Sequence, residues 1–320
     1  MVPKIPLDLQ QVICKYALEI NSDSSFTKVA ITVNKSWAYF VCQILYRHYR
    51  IKNYLTFISF VKTVTSPNSI LPYGSFIRSI DLTPVNKYGI DMRASKLVRC
   101  CPNIVEMTLG HPTTLKTETI QEITKYNTEL HTLWMGGIDS YPFMLDCDFS
   151  GLAQLQHVTL KTTPLLASAF MTLPQRNLKS IKLIQMDAVT PQELLDFCKT
   201  HPRLQSLTII SCRDLLTAEL GNTLSKLLTP HDPAACLELT QIELEGQQIS
   251  DKTLFEFFNN VPRGTKLKKL KLSDTSLTAD FIKPVLFNDS AVPLKVDQIE
   301  LQNNRHMQQL TTSSHAICRA

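Results

Sequence analysis

Nine times along the chain an apolar residue is followed by two variable positions, a second apolar residue, one variable position and a third apolar residue. The phrase occupies 77–82, 104–109, 130–135, 155–160, 178–183, 204–209, 239–244, 267–272 and 296–301, with successive starts 23 to 35 residues apart. Its later half alternates apolar and variable positions, the period of a strand with one buried face. In Leu204-Gln205-Ser206-Leu207-Thr208-Ile209, Leu207 and Ile209 turn inward, whereas Ser206, Thr208 and the following Ile210 turn out. After each phrase the period lengthens to that of a helix. Thr190-Pro191-Gln192-Glu193 carries the helix-start signals: a Thr cap, Pro at the first helical position, and Glu three residues after the Thr. Leu194, Leu195, Phe197 and Cys198 supply the buried face, and His201-Pro202 leads into the next strand. Each unit reads strand, loop, helix, return. One unit cannot cover its own apolar face, so the units must stack.

This phrase at this period is that of leucine-rich repeats. The expected fold is α/β, a right-handed leucine-rich-repeat solenoid of about nine repeats over 76–303, with a parallel sheet on its concave side. Two places break the rhythm. The longest interval holds the Pro-rich Thr229-Pro230-His231-Asp232-Pro233, a surface loop by composition, and 136–142 reads as a loop in place of a helix. Such insertions either join a binding face or are neutral. Cys212, then Ile249-Ser250-Asp251-Lys252-Thr253-Leu254, and more loosely 277–280, resemble the Cys and Ile-Thr-Asp/Glu-x-Leu elements of the cysteine-containing repeats of F-box proteins. Cys101-Pro102-Asn103-Ile104 and His201-Pro202-Arg203-Leu204 resemble that family's lead into each strand. Most repeats depart from the Cys consensus.

Ahead of the repeats, Ile5-Pro6-Leu7-Asp8-Leu9 precedes Val12-Ile13 and Tyr16-Ala17, a helical stripe. Phe26, Val29-Ala30 and Val33-Asn34-Lys35-Ser36-Trp37 follow, then Phe40, Val41, Ile44, Leu45 and Tyr46. The order and spacing over 1–52 resemble an F-box, a three-helix unit; 53–75 reads as a linker helix or cap and 304–320 as a tail. So short a unit carries more apolar surface than it can bury by itself. The resemblance implies docking on the Skp-type adaptor of a cullin-RING ubiquitin ligase. Ile5, Pro6, Leu9, Val12, Ile13, Val33 and Trp37 would make that contact or the core beneath it. The other reading of the same stripe is the N-terminal cap that a solenoid needs.

The outward strand positions are where a target protein would be read. Candidates are Trp134, Lys161, Lys182, Ile184, Ile210, Glu243, Glu245, Lys269 and Lys271. Tryptophan is over-represented among binding hot spots; alternatively Trp134 lies beneath Tyr141-Pro142-Phe143. Glu243 and Glu245 beside Lys269 and Lys271 are expected to satisfy one another across neighbouring strands, the alternative being a charged recognition patch.

Composition excludes several classes. A 320-residue chain that is 44% hydrophobic and 19% charged is not disordered. Its net charge of +5 is spread out, and the densest basic run (Lys266, Lys268, Lys269, Lys271) lacks interleaved aromatics, so no nucleic-acid partner is expected. No run approaches the ~18–20 apolar residues of a membrane span, and the first ten residues hold no continuous apolar core. The expectation is a cytoplasmic or nuclear protein without a membrane partner. Nine scattered cysteines with no C-x-x-C pair read as reduced thiols. Phosphate-cradling glycine loops, H-E-x-x-H and G-x-S-x-G are absent, so no cofactor, metal or catalytic role is expected. The function implied is that of a ligase substrate receptor holding a protein target. The alternatives are a repeat scaffold unconnected to ubiquitin, and an enzyme or catalytic regulator using the charged strand positions.

Overall fold

A computed structural model describes residues 5–20, 24–85, 90–110, 115–136, 145–163, 165, 167–187, 189–262, 265–278, 280–281, 296–304 and 318–319. The chain divides into two compact units, one of residues 1–110 and 114–130, the other of 111–113 and 131–320.

The first unit opens with helices α1 (Leu7–Ile20), α2 (Ser24–Val33) and α3 (Lys35–Arg47). Asn34 starts α3 by accepting the Trp37 N–H at 2.9 Å. Cys14, Ala30 and Val41 form a small buried core, against which Leu18, Phe26, Trp37 and Phe40 pack. A capping box of Asn53 and Thr56 begins α4 (Tyr54–Val64). After it come α5 (Tyr73–Phe76), α6 (Asp91–Cys100) and α7 (Thr117–Tyr126). The strands β1 (His48–Tyr49), β2 (Ser79–Asp81) and β3 (Glu106–Leu109) pair in parallel, His48 opposite Ser79 and Ser79 opposite Glu106. Strand β1 lies in the exit from the helices, where no apolar phrase announced it.

The second unit is built on β4 (Thr132–Gly136), β5 (His157–Lys161), β6 (Ser180–Ile184), β7 (Ser206–Ile210), β8 (Gln241–Glu245), β9 (Lys269–Ser273), β10 (Gln298–Gln302) and β11 (Cys318–Arg319). Each is the neighbour of the next in chain order, and the pairs are parallel. The nine apolar phrases each hold one strand, β2 to β10. The stretch read as a tail contributes β11, which pairs with Leu301 and Gln302. Helices α8 (Ala167–Met171), α9 (Pro191–Thr200), α10 (Leu220–Leu228) and α11 (Asp251–Asn260) return the chain. Thr190 and Glu193 form the capping box of α9, with Pro191 in its first turn, and Ser250 with Thr253 does the same for α11.

Inward strand residues such as Leu133, Met135, Val158, Leu160, Ile181, Leu183, Leu207, Ile209, Ile242, Leu244, Leu270 and Leu272 are buried. Polar side chains tie one repeat to the next. The Asp187 carboxylate accepts the Arg213 N–H at 3.0 Å, and Asp251 accepts the Thr278 N–H at 2.9 Å. Buried His201 sets Nδ1 at 2.8 Å from the Phe197 carbonyl and Nε2 at 2.9 Å from the Leu173 carbonyl of the preceding repeat. Its ring stacks on Phe197 at 3.8 Å, and Phe197 on Phe170 at 4.4 Å. The Pro-rich interval is less superficial than its composition suggests. Ala234 and Cys236 are buried within it, and the Cys236 N–H donates to the Leu227 carbonyl at 2.8 Å. Of the stretch 136–142, read as a loop in place of a helix, Gly136 ends β4 and the rest lies outside the described residues.

Gly221 of α10 lies against α11. A Cβ there would stand 2.1 Å from the Thr253 carbonyl oxygen. Backbone cannot yield as a side chain can, so Gly221→Ala should force the two helices apart and lower stability by about 1–3 kcal/mol, read from urea midpoints.

Candidate functional site

Two surfaces, one on each unit, present residues with no structural employment. The first is the apolar stripe of α1 and the residues around it. Ile5, Leu9, Val12, Ile13 and Val33 are 40 to 52% exposed, and Pro6 is exposed as well. Leu7, Tyr16, Ile20 and Val29, which the sequence reading did not select, are exposed too. Helix α1 therefore has two apolar faces. Cys14 and Leu18 face the small core; the positions 9, 12, 13, 16 and 20 form the other face at helical spacing and stay in water. Trp37 differs from the other six candidates, being half-buried and packed on the core. A contiguous stripe of large apolar side chains left uncovered is the kind of surface that protein partners cover.

The second surface is the face of the β4–β10 sheet opposite its buried residues. The register sets its outward positions in three rows. One runs Thr132, His157, Ser180, Ser206, Gln241, Lys269, Gln298. The middle row runs Trp134, Thr159, Lys182, Thr208, Glu243, Lys271, Glu300. The third runs Gly136, Lys161, Ile184, Ile210, Glu245, Ser273, Gln302. All nine candidates for target contact thus fall on one face, across β4 to β9.

The charged end of this face is largely self-satisfied, one pair as the sequence suggested and one not. Lys271 Nζ is 2.6 Å from Glu243 Oε1, as expected of facing residues on β8 and β9. Lys269 instead reaches Glu300 on β10 at 2.9 Å, because the register places neutral Gln241 opposite it on β8. Glu245 faces Ser273 and Ile210, and it has no ion pair among the described residues. Thr208, outward by parity, is nevertheless buried between Lys182 and Glu243.

At the other end, Trp134 folds along its own strand. A Cβ on Gly136 would meet the six-membered ring of the indole at 2.3 Å, so the ring occupies the space that the glycine leaves free. The loop 141–143, the alternative cover for Trp134, lies outside the described residues. Gly136→Ala should push the ring off the strand and change the near-ultraviolet circular dichroism of Trp134 while the melting temperature moves little. The neighbouring imidazole of His157 is held below its usual 6.5, first by burial and then by Lys179 and His131, so it is neutral near pH 7.

Among the described residues no three His, Cys, Asp or Glu side chains converge as metal ligands, and no helix is long and apolar enough to cross a membrane. Cys14, Cys42, Cys100, Cys101, Cys147, Cys198, Cys212 and Cys236 are free thiols. Burial raises the thiols of Cys147 and Cys212, to about 12 and about 11. Inert buried thiols predict that neither a reductant nor a chelator shifts the thermal midpoint. A fall of many degrees with either agent refutes this.

No protein-family description and no curated protein matches the sequence. Among solved structures, the TLR13–ssRNA13 complex is similar over 72% of this chain at 15% identity, with a TM-score of 0.42. This chain spans 33% of that one. The Rad7–Elc1 complex of yeast is similar over 95% of this chain and 87% of its own, at 13% identity and a TM-score of 0.39. Both similarities lie below the level at which a shared fold is established.

Proposed function

We propose that the chain is the substrate receptor of an SCF-type cullin-RING ubiquitin ligase. On this reading α1–α3 dock on a Skp-type adaptor, and the open face of the β4–β10 sheet holds the protein to be modified. The protein acts by placement and contributes no catalytic group or cofactor of its own. The observation that carries the reading is the exposed apolar stripe Ile5, Leu9, Val12, Ile13 and Val33, on a unit whose sequence resembles an F-box. Burying the half of each side chain still exposed contributes about 1 kcal/mol each, so several together can hold a partner.

A scaffold reading, with the helices as a cap, draws support from the buried core of Cys14, Ala30 and Val41, on which Trp37 packs from within the unit. The two readings separate in one experiment. The whole chain, used as bait in cell extract, should retain adaptor and cullin together; retention of neither leaves the scaffold. Once a target is identified, Trp134→Ala should weaken its capture by about 2 kcal/mol while adaptor retention is unchanged. Equal capture by the variant places the contact elsewhere on the chain.

A further inference from the structure

We infer that the β4–β7 half of the open face receives an acidic, extended protein segment that also carries apolar side chains. The inference deepens the receptor reading above and rests on it for the choice of a protein as the occupant.

The two halves of the face differ in charge balance. Strands β8 to β10 present Glu243, Glu245, Lys269, Lys271 and Glu300, and four of these five are joined in the pairs Lys271–Glu243 and Lys269–Glu300. Strands β4 to β7 present twelve outward positions, three on each strand, with Lys161 and Lys182 among them and no acidic residue. Neither lysine has an ion-pair partner among the described residues. Lys161 is exposed and Lys182 half-buried. A carboxylate brought to them from outside meets two cations that nothing within the face has neutralised.

The apolar part of the same half is equally specific. Ile184 and Ile210 face each other on β6 and β7 in the row that begins with Gly136 and Lys161. The Trp134 ring lies on the other side of the lysines, in the gap over Gly136. Trp134 and Lys182 stand two strands apart, about 10 Å at the usual strand spacing. An extended segment crossing the strands therefore meets an aromatic ring, then two cations, then an aliphatic pair. The neutral hydroxyl of Thr159 stands between Trp134 and Lys182 in the middle row. Because the buried residues on the reverse of each strand hold these positions in place, little ordering is required of the receptor.

A nucleic-acid strand fits this surface poorly. It needs several convergent cations for its phosphates, and here two full charges stand beside aliphatic side chains that offer phosphate nothing.

The test uses the whole chain and three fluorescently labelled probes read by anisotropy: a short peptide of Glu, Leu and Phe, its counterpart with Lys for Glu, and a short oligo-uridine. The Glu peptide should bind, more weakly as salt rises, and the other two should not. Lys161→Glu combined with Lys182→Glu should weaken the Glu peptide by roughly tenfold or more and take up the Lys peptide instead. Uptake of the opposite peptide is a gain that misfolding cannot imitate. A control, Lys252→Glu with Arg203→Glu on positions outside this face, should leave binding of the Glu peptide unchanged. The inference is overturned if the Glu peptide fails to bind the parent protein, if control and face variants lose affinity alike, or if oligo-uridine binds in preference. Adaptor retention is scored in parallel. Its absence from the parent protein defeats the ligase assignment, whereas peptide binding that follows the charge reversal still supports the acidic-segment site.

Discussion

Replacing both Leu9 and Val33 with Glu should abolish adaptor retention and leave the melting temperature where it was. The two side chains are 51% and 52% exposed, so a carboxylate at either position stays in water in the free protein and disturbs no packing. On docking, the same carboxylates would be carried into an apolar contact without a partner. That forfeits about 1 kcal/mol of burial per side chain and adds the desolvation of a charge. Ile5→Ala with Pro6→Ala removes apolar area without adding charge, and should cost about 1–3 kcal/mol of binding. Val41→Glu is the contrasting case. Val41 is fully buried in the Cys14 core, so this variant should unfold the helices. Undiminished adaptor retention by the Leu9→Glu, Val33→Glu protein would move the docking surface away from α1 and α2.

The largest expected loss of stability comes from Phe197→Ala, about 3–5 kcal/mol, as for other buried aromatic truncations. Phe197 is fully buried between Phe170 and His201, so its removal leaves a void flanked on both sides by rings. His201 adds a dependence on pH. Burial pulls its imidazole below the usual 6.5, with the hydrogen bonds to the Phe197 and Leu173 carbonyls opposing part of that shift. Between the unfolded and folded values the unfolded chain binds the extra proton, so stability rises with pH there. The part that His201 sets should be level from about pH 6.5 up to the range where unfolded thiols ionise, and fall as the pH drops below about 6.5. Urea midpoints at several pH values check this. His201→Gln should flatten part of the acid slope, leaving the share that His157, shifted in the same direction, contributes. An unchanged slope would show that His201 is not the group responsible.

The strands were legible because period 2 and the repeat interval are set by burial, and burial is written in residue type. So was the start of α9, since a capping box is a local arrangement of four residues. Other features depend on what packs against what. Helix α1 offers Cys14 on one side and Val12 on another, and hydropathy ranks valine as a core residue no less than cysteine; only the packed partners decide that Cys14 is covered and Val12 is not. The partner of Lys269 required the register of three strands. Strands β1 and β11 are two residues each, too short for any period. The residue after several strands is left-handed, at Thr162, Gln185, Ser211, Asp274 and Asn303, with φ between 43° and 53°. Asp and Asn suit that conformation, but Thr and Gln do not, so local preference could not have located it. For Trp134 the missed signal was the glycine two residues on, which provides room for the ring.

In the second unit each strand bonds only to the strands before and after it in the chain. Such a sheet can be extended from one end as the polypeptide emerges, every finished repeat serving as template for its successor. The same geometry gives any prematurely ended chain a raw margin. A product stopping just past Gly246 would carry Gln241–Glu245 with the amides and carbonyls meant for Lys269–Ser273 pointing at solvent. That margin is parallel, five residues long and backed by Ile242 and Leu244, which suits it to pairing with strands of other molecules. Truncated forms of this protein should therefore aggregate edge to edge more readily than full-length chains carrying a mutation in the core.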